Sequence, residues 1–433
     1  MQFKIHTPEF VEFIIRRLND AGCQVYIAGG AVRDAFLQRP FSDWDIATDA
    51  KPEEIRNEFP DVRHFSLKHG TVTLVKSGHN CEITTFRGKN PTINDDLACR
   101  DFTINAMAWD LEAGCIIDPY GGLYDIAKKT IRAVEKPSER FKEDPLRLLR
   151  SVRFAAELGF KIERSTKQTI INMAEKIHTV APERIRNELV KILMSPKPSE
   201  GFYLLVRTGL LKHLVPELLE GYRRQQNNHH QYTIFRHIMK SLDLVERVPF
   251  LKLTALLHDI GKPRSRKKNQ GRWTFYGHEK LSADMAREIM LRLKFSRDII
   301  QKVSDLITHH MINYHSGWSD SAVRRLIRRT GRENIVHLLT LRRADIMAHG
   351  QYGQDSYLIE ELEARIKDQL IKKTAIEQKD LAIDGNKVME ALGLSPGPQV
   401  GKILDKLLNE VIDNPEMNNE ALLISMARKV IFI

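Results

Sequence analysis

The sequence predicts an α+β protein: a head over residues 1–139 in which helices pack on a small mixed sheet, then an all-helical remainder divided at 140–200, 201–369 and 370–433. Three observations predict it. Short apolar runs bounded by turn formers, Gln24-Val-Tyr-Ile-Ala28, Val72-Thr-Leu-Val75 and Cys81-Glu-Ile-Thr-Thr-Phe86, have the length and composition of strands. Beyond the head, apolar residues recur at helical spacing. The 433 residues exceed what one core sustains, so roughly two to four domains are expected.

Composition narrows the class. No apolar run reaches membrane-spanning length, and Met1-Gln-Phe-Lys-Ile-His6 lacks the apolar stretch of a secretion signal, so a cytoplasmic protein without a membrane partner is expected. Cys23, Cys81, Cys99 and Cys115 show no metal-binding spacing and read as reduced thiols. A formal charge of +11 favours a polyanionic partner.

In chain order, the first strand runs into Gly29-Gly30-Ala-Val-Arg33-Asp34, where paired glycines let the backbone approach a phosphate. Asp43-Trp-Asp45-Ile-Ala-Thr48 follows as an extended segment. Residues two apart on a strand share a face, so Asp43 and Asp45 project together. Such a pair suits Mg²⁺, which prefers carboxylate and phosphate oxygens and stabilises the attacking and leaving oxygens of an in-line displacement. Asp43 and Asp45 are therefore the catalytic and metal-ligating candidates. Strand, GG and DxD together point to transfer of a nucleotide from a triphosphate to a hydroxyl; a glycine turn beside a solvated acidic loop is the alternative. Strands 72–75 and 81–86 pair through Lys76-Ser-Gly-His-Asn80, and Glu82 is either a third metal carboxylate or an ordinary exposed residue. Arg100, Asp101 and Asn105, at helical spacing, suit a ribose and phosphates, and Asp118-Pro-Tyr-Gly-Gly122 makes a turn.

Phe141 to Phe154 reads as one helix with Pro145 in its first turn, which puts Asp144 and Arg147 on one face. A carboxylate accepts from an exocyclic amine and a guanidinium donates to ring acceptors, so the pair can select C and A over U and G; a helix salt bridge is the other reading.

The ordered set GGAVRD, DWDIAT, RDFTINA, DPYGG, EDPLRLLRSVRF and ERIRNEL, within the first 190 residues, resembles the class II tRNA nucleotidyltransferases, the CCA-adding enzyme family that builds or repairs the 3′ end of tRNA. The resemblance implies a polymerase-β-like nucleotidyltransferase head with Mg²⁺, then helical neck, body and tail domains that hold the tRNA acceptor arm, with CTP as substrate and ATP as a second candidate. It assigns Asp43 and Asp45 to the metals, Gly29, Gly30 and Arg33 to the phosphate loop, and Arg100, Asp101 and Asn105 to ribose and triphosphate. Asp144 and Arg147 match the nucleotide-reading pair, flanked by Glu143 and Arg150. Cys99 departs from the family, which usually has arginine there, and Asp61 to Ser66 lacks the basic signature of the bacterial poly(A) polymerases. The segment Arg87 to Cys99 is shorter than the loop the family normally carries, which resembles the CC-adding branch that adds C74 and C75 only; a trimmed but fully CCA-adding enzyme is the alternative.

A second metal candidate lies further on. In Leu256-Leu-His-Asp-Ile-Gly-Lys262, His258 and Asp259 stand side by side, with His237 upstream and Asp345 downstream. This order resembles the HD phosphohydrolases, which implies an unidentified divalent metal and phosphate-ester or cyclic-phosphate substrates at RNA or nucleotide ends. His278, His309 and His310 fall where some members place ligands for a second ion. A phosphohydrolase with a degenerate head, and a non-catalytic RNA-binding scaffold, are the competing classes. Arg324, Arg325, Arg328, Arg329 and Arg332 form a basic helix face, either solvated or in contact with phosphates. Breaks at Leu381–Asn386 and Gly397–Gly401 divide a helical tail, and the oligomeric state is left open.

Overall fold

A computed structural model describes residues 5–67, 70–76, 79–88, 91–226, 231–270, 272–349, 354–372 and 374–430. Ser77 and Gly78 of the expected turn, and Lys89 and Asn90 of the short segment before Arg100, lie outside the described residues. The chain forms two compact units, residues 1–214 and 215–433.

The first unit begins with α1 (Glu9–Asp20), β1 (Val25–Ala28), α2 (Gly30–Phe36), β2 (Asp43–Thr48), α3 (Pro52–Glu58), β3 (Arg63–Leu67), β4 (Thr71–Lys76) and β5 (His79–Thr85). It continues through α4 (Ile93–Ala98), β6 (Ala108–Asp110), β7 (Cys115–Ile117), α5 (Gly122–Ala127) and β8 (Thr130–Ile131). The seven-stranded sheet has the order β3-β4-β5-β2-β1-β6-β7. Only β2 and β5 pair in parallel; the other neighbours are antiparallel. Apolar residues of α1 recur at helical spacing, so Val11, Ile14, Ile15 and Leu18 are buried on one stripe against Ile27, Ile46, Ile83 and Leu74 of the sheet. The expected turn at Asp118 holds: its carboxylate accepts from the N–H groups of Gly122 and Leu123 and so opens α5.

The single helix expected over Phe141–Phe154 is two helices, α6 (Pro137–Glu143) and α7 (Leu146–Leu158). Asp144 between them is extended, with φ −142° and ψ 99°. The ring of Pro145 clashes with a helical residue before it, and that breaks the helix. Pro145 consequently caps α7 rather than lying in a first turn. After β9 (Lys161–Ile162) come α8 (Arg164–Met173), α9 (Pro182–Leu193), α10 (Pro198–Arg207) and α11 (Leu211–Leu214). Arg153 of α7 meets Glu188 of α9 at 2.6 Å in a buried ion pair, and that pair fixes how the two helices face each other.

Among its described residues the second unit is helical apart from one hairpin. Its elements are α12 (Ile234–Leu244), α13 (Pro249–Leu257), α14 (Lys262–Ser265), β10 (Lys267–Asn269), β11 (Arg272–Thr274), α15 (His278–Arg292) and α16 (Arg297–His309). Then follow α17 (Asp320–Thr330), α18 (Asn334–Ala348), α19 (Gln354–Ile371), α20 (Gly385–Leu392), α21 (Pro398–Asp413) and α22 (Glu420–Val430). The last three close a small core of their own around Val388, Leu407, Leu408 and Leu423. The basic face of α17 is largely consumed inside the protein. Arg324 donates to the Ile412 carbonyl at 2.8 Å, Arg325 and Arg328 pair with Asp413 and Asp405 of α21, and Arg332 pairs with Asp380. These cations dock the tail; for four of the five arginines both readings of the stripe, solvated or in contact with phosphates, give way to partners within the fold. Among the described residues no helix is long and apolar enough to cross a membrane.

Helix α8 supplies a stability test. Burial raises the Glu163 carboxyl, but the Ser165 and Thr166 N–H groups and the Ser165 hydroxyl bind its charged form and hold it at about 2. Glu163→Ala is expected to cost about 1 kcal/mol at neutral pH, the usual worth of an N-cap. The unfolded carboxyl titrates near ~4.3, so the difference is complete above that pH. It shrinks as pH falls through about 2. Urea unfolding of both proteins across that range checks it.

Candidate active site

The first unit encloses a cavity of about 820 Å³ lined by the sequence-predicted head residues Gly29, Gly30, Arg33, Asp43 and Asp45, together with Glu82. The parallel ladder pairs Asp45 with Glu82 and Asp43 with Asn80. Partners in register share a face, so Glu82 joins the two aspartates on the cavity side. Burial raises Asp45 above the usual carboxylate range; Arg100, the Gly30 N–H and Arg33 pull it down, while Asp43 pushes it up again. Glu82 is raised by burial, then by Asp45 and Asp43, against Lys191. Three carboxylates on one face of the cavity, kept there at this electrostatic cost, suit a hard divalent cation.

Gly29 sits at φ +73°, and a Cβ there would fall 2.8 Å from the Asp45 carboxylate and strike the Arg100 guanidinium. Both the backbone angle and the space require glycine. Arg33 donates to Asn105 Oδ1 at 2.5 Å, Asn105 donates to Asp101 Oδ1 at 3.0 Å, and Arg150 donates to Asp101 Oδ2 at 2.7 Å. Burial opposes the charge on Asp101, but Arg150 and Asn105 outweigh it and hold the carboxyl at about 2. The α-helical spacing expected here is corrected: Thr103–Asn105 is one turn of 3₁₀ helix, with Asp101 before it. A turn tighter than an α-helix still brings Asp101 to Asn105 because the chain folds back.

Asp144 and Arg147 both line the cavity, yet they do not pair with each other in a helix salt bridge. Arg184 holds Asp144 through two bonds of 3.2 and 2.8 Å, and the Leu146 N–H takes a third place on Oδ1. Arg147 donates to the carbonyls of Arg140 and Cys99 and to Glu143. An ionised carboxylate has four lone-pair sites and a guanidinium five N–H groups, so an acceptor remains on Asp144 and donors remain on Arg147. Position 99 contributes its carbonyl, which any residue supplies, and the Cys99 side chain does not line the cavity. Sequence reasoning passed over Arg184, Glu188 and Asp96. For Arg184 and Glu188 the signal was present, since they stand four apart in the ERIRNEL motif and share a helix face.

In the second unit His237, His258, Asp259 and Asp345 come together with their ligand atoms within 4.8 Å, all buried. His278 and His310 meet the other oxygen of Asp259 at 3.2 and 3.7 Å and form a second cluster, of three residues, around it. His309, the third residue expected for a second ion, is half-buried and outside both clusters, because the turn from His309 to His310 aims only the latter inward. His258, His278 and His310 each direct Nδ1 at the carbonyl three residues back, which leaves Nε2 for the cluster. His258 Nε2, His278 Nε2 and both Asp259 oxygens make no well-formed hydrogen bond despite full burial. Burial alone would lower His258, yet Asp259 and Asp345 push it up to about 10, while burial and His258 push His310 down to about 3. Buried imidazoles and carboxylates with unmet lone pairs fit a divalent metal.

A mixed sheet presenting carboxylates to a nucleotide-sized, arginine-lined cavity belongs to the nucleotidyltransferase class. Residues 25–132 match the profile of the Poly A polymerase head domain, 159–221 that of an RNA- and SrmB-binding site of polymerase A, and 267–427 that of tRNA nucleotidyltransferase domain 2. The CCA-adding enzyme of Lactobacillus johnsonii is 32% identical over 424 residues, 94% of each chain. That of Geobacillus thermodenitrificans is 43% identical over 221 residues, 48% of this chain and 54% of the relative. The crystal structure of the Bacillus stearothermophilus CCA-adding enzyme in complex with CTP superposes with a TM-score of 0.75 at 28% identity, covering 98% of this chain and 99% of the other. The chain belongs to the CCA-adding enzyme family of tRNA nucleotidyltransferases.

The two clusters make a direct prediction. Asp259→Asn, which alters the carboxylate whose two oxygens serve the two clusters, is expected to lose most of the divalent metal that wild-type protein carries from purification. His309→Ala is expected to keep it. Elemental analysis of both proteins after gel filtration decides.

Proposed function

We propose that this protein adds cytidines C74 and C75 to the 3′ end of tRNA from CTP, releasing pyrophosphate, and leaves the terminal A to another enzyme. The observation that carries the CC-only reading is the short segment after β5. Asp96, buried in α4, takes Arg87 at 2.7 Å and Arg100 at 3.1 Å, while Ile93 and Leu97 pack with Phe86. Arg87 of this segment lines the cavity and is anchored with Arg100 on the buried Asp96, and a wall held by that charge cluster resists enlarging for a purine.

Asp43, Asp45 and Glu82 would hold the Mg²⁺, which when bound supplies charge stabilisation to the attacking and leaving oxygens. The protein's own groups do the rest. The open backbone at Gly29 and Gly30 admits the triphosphate, and Arg33 and Arg100 neutralise it beside the carboxylates. Asp101 and Asn105, locked by Arg150 and Arg33, face the ribose. Asp144 accepts the N4 amine of cytosine, and Arg147 donates to N3 and O2. Uracil presents a carbonyl to the Asp144 carboxylate and is refused by acceptor meeting acceptor. The tRNA acceptor arm is the proposed partner of the helical domains, as the tRNA complex named for a Thermotoga maritima CCA-adding enzyme suggests for that relative. A cytoplasmic setting accords with four free cysteines.

The two buried clusters around Asp259 support a second activity, metal-assisted hydrolysis of phosphate esters, residing in the second unit. Water would attack phosphorus and the ester oxygen would leave as an alcohol.

Asp45→Ala is expected to reduce CTP incorporation about a thousandfold or more while tRNA binding persists, because the phosphate contacts of the RNA lie elsewhere. Normal turnover would remove Asp45 from the mechanism. Asp259→Ala is expected to abolish phosphatase activity and leave CTP incorporation within about twofold, since the two sites share no residue. With tRNA lacking CCA and single triphosphates, sized products should show two added C residues and an A step at least about a hundredfold slower, even with ATP in excess. Efficient conversion of tRNA ending in CC to CCA would restore the full CCA-adding reading.

A further inference from the structure

Between Ile260 and Glu279 the chain carries Lys262, Arg264, Arg266, Lys267, Lys268 and Arg272 and no acidic residue. Lys262 and His278, the two ends of this stretch, both touch Asp259, at 2.6 and 3.2 Å. Between them α14 leads into a two-stranded hairpin whose register pairs Lys267 with Thr274, Lys268 with Trp273 and Asn269 with Arg272. The cross-strand pairs sort the hairpin into two faces. Lys268 and Trp273 share one, where the Arg266 guanidinium stacks 3.6 Å from the indole centre. Lys267 and Arg272 share the other, and both are exposed. Beyond Lys262, Arg264 is the cation of this stretch that meets a carboxylate among the described residues, Glu220 at 2.7 Å. Exposed Arg223 and Arg224 extend the positive surface, with Arg224 close enough for Arg266 to feel its charge. Tyr276, one residue before the glycine that opens α15, is 83% exposed.

Among the described residues Arg266, Lys267, Lys268 and Arg272 meet no carboxylate, and like charges this close stabilise nothing by repelling one another. Cations interleaved with an arginine-stacked tryptophan and an exposed tyrosine match a nucleic-acid strand, whose phosphates take the charge and whose unpaired bases stack on the rings. An acidic peptide would engage the charge and leave the aromatic rings unused. We propose that the β10–β11 hairpin binds single-stranded RNA and directs its 3′ phosphate into the cluster around Asp259. The three residues of each strand reach about 10 Å, so the hairpin spans one or two nucleotides next to the cluster. This rests on the phosphohydrolase reading: water adds to phosphorus, the bond to the 3′ oxygen breaks, and inorganic phosphate leaves a 3′ hydroxyl.

The experiment uses the full-length protein and a short single-stranded RNA carrying a 3′ phosphate and 4-thiouridine near that end. Irradiation should crosslink it within residues 264–280, with mapping by mass spectrometry. Lys267→Ala/Lys268→Ala/Arg272→Ala and, separately, Trp273→Ala should each cut that crosslink about tenfold, and the triple variant should flatten the salt dependence of RNA binding by a slope of about 2. In hydrolysis, both variants should lose about tenfold in kcat/KM on the RNA and nothing on a free nucleoside 3′-phosphate. Unchanged CTP incorporation shows that the variants fold. Crosslinks that avoid the hairpin, or equal losses on RNA and mononucleotide, overturn the proposal. If wild-type protein hydrolyses neither substrate, the phosphohydrolase reading fails by itself and the crosslink still decides whether the hairpin holds RNA.

Discussion

Carboxylates on one face of two parallel strands repel each other, and the head is organised around keeping them there. Asp43 and Asp45 stand on β2 and Glu82 stands on β5 in register with Asp45. The strands beneath are pinned by a core of Ile27, Ile46, Leu74 and Ile83, so the backbone cannot relax the charges apart. Arg33 and Arg100 offset part of the repulsion from the cavity side. A divalent cation held by these carboxylates, as proposed, would relieve the remainder, so the same crowding that costs stability would supply affinity for the metal.

A second constraint runs from the sheet into the helices. Asp101 joins Arg33 through Asn105 on one side and Arg150 of α7 on the other, and Arg153 and Glu188 then tie α7 to α9. Buried ions survive only when each is paired, so this network specifies one docking of α7 and α9 against the cavity face of the sheet. Arg184 of α9 closes the chain by orienting Asp144. In the proposed function, base selection would rest on side chains held from behind, the condition for discriminating between nucleotides by a single hydrogen-bonding edge.

The second unit follows the same logic with imidazole in place of guanidinium. Asp259 is shared by two clusters, and carbonyls of the preceding turn fix which nitrogen His258, His278 and His310 offer. The arginines of α17 show the opposite fate for a basic stripe, being spent on the carbonyls and carboxylates of α21. The β10–β11 hairpin, by contrast, leaves Lys267 and Arg272 in solvent. A run of cations in sequence is thus no measure of charge available to a partner; what decides is which neighbouring element supplies an acceptor.

Much of the head was legible without coordinates, because the information lay within single elements. A period of two put Asp43 and Asp45 on one face, the apolar runs placed β1, β4 and β5, and the turn chemistry at Asp118 was local. The helix break at Asp144 was also local, since Pro145 forbids a helical residue before it, and was misread by giving the apolar period precedence over the proline. Polar β3 and three-residue β6 and β7 carried no such signal and exist as strands because neighbours complete their ladders. What the tertiary structure alone decided is every relation across elements: Glu82 beside Asp45, Arg184 on Asp144, Arg33 on Asn105 seventy-two residues away, and which of His309 and His310 faces Asp259. Sequence determines which face of a strand or helix a side chain occupies, since that follows from backbone geometry. Which face meets which depends on register and packing, and these are settled only when all the elements bury their apolar surfaces together.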